Sequence, residues 1–267
     1  MTFDQSRADE LDGLMLGLPL PDSAVRALGQ WLADPERGGR YAGGSGAHAV
    51  SYVPGAWTAV EPWPAAFADR SAAGPASVSR ADVVAVVREA GESEDWARAF
   101  VATQLWGYGD RGYGSYRTRR VLAGPAAGAA LAESVSLLVD EGAVAAYEAL
   151  NTLGGLGPSF LTKFLYFAGL ALPEVRGPRP LILDRVLAGV LRRYASEVGR
   201  AAGREWSGAI AGRMWRDGGW TSHRYDVYLR WMHAAHARLV GAGIDWPDDP
   251  GVLELALFGA AWNPEQP

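Results

Sequence analysis

Two side chains in the middle of the chain, Lys163 and Asp184, could act as a nucleophile and as a charge-stabilising carboxylate. The 25 basic residues comprise 24 Arg and this single Lys, so Arg supplies almost every cation. Arg keeps its proton in proteins, whereas a partly buried Lys can become a neutral nucleophile. Lys163 is therefore either a reactive amine or one lysine that survives by chance on a helix.

Asp184 directly follows the apolar stretch Pro180–Leu183 and precedes a helical pattern that begins at Arg185. This is the position of a helix N-cap, where backbone amides orient a carboxylate and the helix dipole favours it. Capping alone would account for the residue. As chemistry, such a carboxylate can stabilise a sugar cation or activate a water molecule.

The stretch LGGLGPSFLTKF at 153–164 predicts the turn that positions Lys163. Its glycines are too many to continue the preceding helix, and Pro158 suits the first position of the next one. The pattern predicts a helix-hairpin-helix over 141–170. Glycine lets the amides at the start of the second helix approach a phosphate closely, aided by the helix dipole. An ordinary helical turn is the alternative.

The composition excludes several kinds of chemistry. With no cysteine, the chain has no disulfides, thiolate zinc sites, iron–sulfur clusters or cysteine nucleophiles. There is no run of about 18 apolar residues, and the acidic start of the chain is unlike a signal peptide. We therefore expect a soluble, cytoplasmic protein, monomeric and without a membrane partner.

The charge distribution is uneven. The formal net charge is −5, which by itself disfavours a polyanionic partner. Between residues 176 and 240, however, twelve Arg stand against five acidic residues, a local excess of seven. This window predicts a basic face on an acidic protein.

Helical periodicity dominates the chain and predicts a mainly α fold. A Ser79-x-x-Asp82 capping box predicts one helix start. We predict further helices near 23–33, 96–106, 127–139, 141–150, 158–170, 185–198, 205–216 and 222–240. Any sheet is expected within the first 70 residues, followed by a linker at 71–78 and a mobile Tyr- and Arg-rich loop at 107–120. We divide the chain into a small α+β N-terminal region, 1–78, and a helical core, 79–267.

The hairpin sequence at 153–169 and the segment PLILDRVLAGVLRRYA at 180–195 together resemble the helix-hairpin-helix DNA glycosylase superfamily. The likeness covers roughly residues 95–240 and is closest to members with the 8-oxoguanine glycosylase fold. It implies that Gly155 and Gly157 hold the DNA backbone and that Asp184 is the carboxylate needed to cleave the glycosidic bond. It implies no organic cofactor, although hairpin carbonyls of the superfamily often hold a monovalent cation.

The resemblance leaves the role of the lysine open. In members that also cut the DNA backbone, the nucleophilic Lys stands two residues after the second hairpin glycine, where this chain has Ser159. A Ser there resembles the adenine-excising branch, whose usual Cys-ligated cluster this chain cannot hold. Lys163 lies one turn later on the same helical face. It is either a displaced nucleophile or a contact to the flipped base, so lyase activity is undecided.

A glycosylase flips its target base out of the duplex, which requires a wedge, a cationic rim and a pocket. Gln104 resembles a residue that precedes the minor-groove-probing loop, so we expect Gln104, Tyr108 or Tyr113 to fill the gap. Phosphate contacts are expected from Arg111, Arg117, Arg119, Arg120 and Ser159. Candidates for the base pocket are Phe160, Trp215, Trp220 and Tyr225. For Tyr225, which shares a helical stripe with Tyr228 and Trp231, core packing is the favoured interpretation.

The resemblance implies double-stranded DNA containing a modified base as the partner, with an abasic site as product. One candidate is an oxidised purine such as 8-oxoguanine, in DNA repair. The slightly favoured candidate is a hypermodified cytosine of phage DNA, glucosylated 5-hydroxymethylcytosine, which would imply a role in antiviral defence. The reason is that Arg40, Tyr41 and Trp57 could line a pocket for its sugar. A non-catalytic DNA-binding protein is the alternative from another class. No metal site is expected, since His233, His236 and Asp226 lack a suitable spacing.

Overall fold

A computed structural model of the protein describes residues 4–71 and 76–265, and most of the regular secondary structure in this part of the chain is helical. The helices are α1 (Gln5–Gly17), α2 (Asp22–Ala33), α3 (Arg80–Glu92), α4 (Trp96–Tyr108), α5 (Gly114–Leu122), α6 (Ala127–Asp140), α7 (Ala143–Asn151), α8 (Pro158–Ala171), α9 (Arg185–Ala201), α10 (Ser207–Met214), α11 (Ser222–Val240) and α12 (Pro250–Phe258). Strands β1 (Ala49–Tyr52) and β2 (Ala76–Ser79) form one antiparallel pair. The predicted mainly α fold class is confirmed.

The chain divides into two compact units. The Asp184 unit comprises Met1–Ser45 and Leu183–Pro267, and the hairpin unit comprises Gly46–Ile182. The region taken as 1–78 from the sequence is thus shared between both units. The reason is that α1 packs on α9, α10 and α11, far along the chain.

In the Asp184 unit, α9 is the central helix, and α1, α10 and α12 pack on it. Its buried face includes Leu187, Leu191 and Tyr194. Close approach of α10 requires Gly199, because a Cβ there would lie 2.3 Å from the Cβ of Ser207. Burial raises the pKa of Tyr194, whose hydroxyl donates to the carbonyl of Leu18. These contacts fix the helix that starts directly after Asp184.

In the hairpin unit, α3, α4 and α8 pack against one another, and α6 packs along α7. The guanidinium of buried Arg80 links the three helices. It donates to the hydroxyl of Tyr166 at 2.7 Å and lies 5.0 Å from the ring centroids of both Trp106 and Tyr166. A cation over two aromatic faces stabilises such an interior. This packing fixes the course of α8 and the hairpin before it.

Three local predictions are wrong. The segment 107–120 is not one loop, because α5 begins at Gly114, where a Cβ would lie 2.6 Å from Tyr108. The sheet is not confined to the first 70 residues, since β2 pairs Val78 with Val50. The predicted linker at 71–78 contains most of β2, and its residues 72–75 lie outside the described part of the chain. The capping box at Ser79 and Asp82 is confirmed.

Helices α1 and α12 were not predicted. The inner face of α1 includes Asp12 beside Leu11 and Met15, so its apolar residues do not form a clear stripe. Helix α12 is buried almost throughout and therefore shows no alternation of apolar and polar faces. Its start was readable, because Asp249 and Pro250 are a typical N-cap and first residue.

Among the described residues, none of the helices is by itself long and apolar enough to cross a membrane. Only α5 and α6 taken together meet that length and composition, and they are bent by 89° relative to each other.

The buried ion pair of Asp12 and Arg224 should be essential to the Asp184 unit. Both carboxylate oxygens accept from the guanidinium, with 2.6 Å from Nη1 to Oδ1, and both side chains are largely buried. Removing one partner leaves a buried charge uncompensated, so Asp12→Ala should lower the free energy of unfolding by about 3 kcal/mol. Urea unfolding would measure this. Asp9→Ala, at an exposed position of the same helix, is the control, and an equal loss in both variants would contradict the assignment.

Candidate functional site

The hairpin between α7 and α8 has the geometry that its glycines predict. Gly155 has φ of +88°, a left-handed conformation that favours glycine. Gly157 is the N-cap of α8, and Pro158 is its first residue. Leu156 is buried and anchors the turn, while Gly154, Gly155 and Gly157 are exposed. The hairpin therefore presents bare backbone to solvent.

Several backbone amides of this turn have no partner. Among the described residues, the amides of Gly155, Gly157 and Ser159 donate no backbone hydrogen bond, and no side chain caps α8. A Cβ added at Gly154 or Gly157 would meet no atom within 4 Å. Open amides at a helix N-terminus, with the positive end of the helix dipole behind them, suit an anion such as a phosphate.

The carbonyl groups of the same turn suit the monovalent cation that the resemblance implies. Within the described residues, the carbonyls of Gly154, Gly155 and Leu156 accept no backbone hydrogen bond. Hard cations are bound by carbonyl oxygens of this kind. Such an ion would hold the hairpin backbone in place.

Lys163 is inside the hairpin unit, one turn from the start of α8. Its side chain is 9% exposed, and its Nζ donates to the carbonyl of Ser159 at 3.1 Å. The Nζ lies 5.2 Å from the ring centroid of Phe160. Its stem runs against Gly107 of α4, where a Cβ would lie 2.8 Å from the Lys163 Cδ. Sequence reasoning missed Gly107, although a small residue among the large side chains of α4 is a signal of close approach.

An aromatic column continues from this lysine to the surface. Phe160 stacks on Tyr108 with ring centroids 3.9 Å apart, and Tyr108 meets Tyr113 edge-on at 5.7 Å. The guanidinium of Arg117 lies 5.4 Å from the Tyr113 ring. Burial raises the pKa of Tyr108, and the hydrogen bond and charge of Arg117 partly offset this. Phe160, placed in the base pocket by the sequence, is thus half-buried in this column.

The predicted phosphate-binding arginines lie on or beside α5. Arg111, Arg117, Arg119 and Arg120 are all exposed. No ion pair of Arg111, Arg119 or Arg120 is found within the described part of the chain. Helix α5 is next to the hairpin, since a Cβ on Gly155 would lie 3.7 Å from Val121. The hairpin amides and these arginines therefore form one surface, which we call the clasp surface.

The predicted basic face at 176–240 is weaker than its arginine count indicates. Among the described residues, at least six of its twelve arginines form ion pairs with carboxylates, and three of these carboxylates come from α1 or α2. The pairs are Arg192–Asp217, Arg200–Glu197, Arg204–Glu10, Arg224–Asp12, Arg230–Asp226 and Arg238–Asp22. Three carboxylates of the N-terminal helices thus offset part of the excess of seven.

Asp184 caps α9 as its sequence context predicts. Its Oδ1 accepts from the amides of Val186 at 2.9 Å and Leu187 at 3.0 Å. Its Oδ2 accepts no hydrogen bond from any described residue. Ile182 and Leu183 before it are buried, which fixes the direction from which the chain enters the helix. The result is a carboxylate with one oxygen held and the other available.

Gln104 lies inside the hairpin unit. It is 1% exposed and donates from Nε2 to the carbonyl of Phe160 at 3.4 Å. A side chain in this position braces α4 against α8. It is poorly placed to enter a duplex, and of the three wedge candidates only Tyr113 is substantially exposed.

The other base-pocket candidates lie within the core of the Asp184 unit. Trp215, Trp220 and Tyr225 are all buried. The guanidinium of Arg224 lies 5.4 Å from the Trp215 ring, and the Trp220 Nε1 donates to the carbonyl of Arg216 at 2.9 Å. Tyr225 stacks on Tyr228 with ring centroids 6.1 Å apart. Core packing therefore accounts for all three side chains.

The sugar-pocket candidates are buried in a similar way. Tyr41 is 6% exposed and stacks on Trp31, and Trp57 is 2% exposed. Arg40 is exposed, with its guanidinium 4.9 Å from the Tyr41 ring centroid. The two aromatic faces expected to contact a sugar are therefore used within the protein.

Among the described residues, one cluster has metal-ligand chemistry, formed by Asp9, Asp12 and His223, with ligand atoms within 4.8 Å of one another. Both oxygens of Asp12 are already bonded by Arg224, so the donor set is poor. The histidine pair considered from the sequence is not brought together with Asp226, and the His236 Nε2 is 2.9 Å from the carbonyl oxygen of Pro247.

Comparison with known proteins identifies the family. No curated protein and no solved structure matches the chain. A family model described as "Putative 8-oxoguanine DNA glycosylase OGG-like protein" matches residues 43–258. This range covers most of the chain and includes both the clasp surface and the cap at Asp184. The chain belongs to this OGG-like family of DNA glycosylases.

Proposed function

We propose that the protein is a DNA N-glycosylase that removes a modified base from double-stranded DNA and leaves an abasic site. The observation that carries this proposal is the carboxylate of Asp184, held at Oδ1 by two amides and available at Oδ2. Membership of a DNA glycosylase family supports it. In a non-catalytic protein the same carboxylate would serve only as the cap of α9.

The proposed mechanism divides the work between two helix N-termini. The amides at the start of α8 and the arginines of α5 hold backbone phosphates, while the target nucleotide is flipped out of the stack. As the bond from C1′ to the base breaks, positive charge develops on the sugar, and the Asp184 carboxylate stabilises it. Hydrolysis of this bond involves no net oxidation or reduction, so the proposal includes no redox cofactor.

We propose 8-oxoguanine as the first substrate to test. The description of the matched family supports this choice. Glucosylated 5-hydroxymethylcytosine is the second candidate, but its support has become smaller because Tyr41 and Trp57 are buried. Only exposed Arg40 still favours a sugar contact. A base that the protein releases from phage DNA alone would assign it to antiviral defence.

The decisive variant is Asp184→Asn. Asn is as good an N-cap as Asp, so the fold should be retained while the negative charge is lost. We expect base release from duplexes carrying 8-oxoguanine, or from glucosylated phage DNA, to fall by about 100-fold or more. DNA affinity should change by less than about threefold, because the charge acts on the cation formed in the reaction.

Asp249→Asn is the matched control, since Asp249 caps α12 in the same unit through the amide of Gly251. It should release base at the wild-type rate. Equal base release by Asp184→Asn and wild type would sink the mechanism. Salt-sensitive DNA binding with no base released from any tested duplex would instead support the non-catalytic alternative.

The clasp surface should supply most of the salt dependence of DNA binding. The double variant Arg119→Gln and Arg120→Gln should weaken binding about tenfold and lower the slope of log K against log salt by about 0.9 for each phosphate that is no longer neutralised. Fluorescence anisotropy at several salt concentrations would measure both. Arg200→Gln with Arg204→Gln is the control, because both of those arginines are ion-paired. Equal slopes for the two double variants would contradict the assignment.

A further inference from the structure

Cleavage of the DNA backbone by a glycosylase through a covalent imine requires an amine that reaches C1′ of the sugar. Lys163 supplies the only side-chain amine of the chain. Whether the protein can follow base removal with backbone cleavage therefore depends largely on what the structure does with this amine.

The contacts of the Lys163 amine favour its charged form. A carbonyl oxygen at 3.1 Å accepts a hydrogen bond from it, and an aromatic face lies 5.2 Å away. Both interactions are stronger for an ammonium than for a neutral amine. A nucleophile needs an available lone pair, so these contacts oppose attack on the sugar.

The same contacts hold the amine in place. The hydrogen bond runs back along α8 from Lys163 to Ser159, in the first turn after the hairpin. The stem and the Phe160 ring both lie against Gly107, and Phe160 itself stacks on Tyr108. Any side chain larger than hydrogen at position 107 would displace the stem. The lysine thus ties α4 to the first turn of α8, whose open amides belong to the clasp surface.

We propose that Lys163 is a positioning residue of the clasp surface and that the protein is a monofunctional glycosylase. The bond from C1′ to the base breaks and a water oxygen bonds to C1′. One water proton goes to the departing base and the other remains on the new hydroxyl group. No imine forms, and the sugar–phosphate backbone stays intact. This inference rests on the proposed function and states which nucleophile that function uses.

Preformed abasic DNA tests the inference without knowledge of the base. Uracil-containing duplex treated with a uracil glycosylase supplies it, and the wild-type protein is added with and without borohydride. We expect no incision above the rate without protein and no trapped adduct, together with base release from a modified duplex. Incision or an adduct would overturn the inference while leaving the proposed function in place. Absence of base release from every duplex would instead overturn the proposed function, and this result is distinguishable from incision or adduct formation.

Variants of the lysine test its positioning role. Lys163→Arg keeps a donor and a positive charge but cannot form an imine, so it should retain base release within about threefold of wild type. Lys163→Met keeps the apolar stem without the donor, and its DNA affinity should fall about fivefold or more. Arg88→Gln, at an exposed position of α3, is the control and should match the wild type. A fall in DNA affinity in Lys163→Arg as large as in Lys163→Met would overturn the positioning role.

Discussion

An α-helix begins with amide groups that have no hydrogen-bond acceptor within the helix. Two helix starts in this protein differ in whether a side chain caps these amides. Helix α9 is capped by the carboxylate of Asp184, which accepts from two amides. Helix α8 has no side-chain cap and begins with an exposed glycine turn. The first start holds a negative charge belonging to the protein, and the second is open to a negative charge from outside. In the proposed mechanism, phosphate binding and stabilisation of a cation thus both depend on one property of the helix.

The open start of α8 is useful only if it is rigid, because a frayed first turn would lose the alignment of its amides. Two features supply that rigidity. Leu156 anchors the hairpin in the core, and Lys163 returns a hydrogen bond to the carbonyl of Ser159. Helix α4 contacts the Lys163 stem at Gly107, and its Tyr108 ring stacks on Phe160.

Local signals were sufficient to predict the hairpin and the cap. Gly155, Pro158 and Asp184 each act through conformation or hydrogen bonds within a few residues, so the sequence contains their whole context. Gln104 and Trp215 were misplaced because their burial depends on helices that are distant in sequence. Helix α5 was mistaken for a loop because glycine and tyrosine are frequent in loops, whereas here they allow close packing of Gly114 on Tyr108. Three-dimensional packing decides such cases, and no local pattern reports it.

The pairing of arginines reconciles the negative net charge with DNA binding. Acidic residues on α1 and α2 neutralise arginines of the C-terminal helices, which removes cations that would hold DNA at arbitrary places. The exposed arginines of α5 keep their charge, and they lie beside the open amides of the hairpin. Phosphate attraction acts over roughly a Debye length, about 8 Å at physiological salt, so a local surface outweighs the charge of the whole molecule. An overall negative charge then weakens non-specific contacts elsewhere and favours DNA binding at the clasp surface.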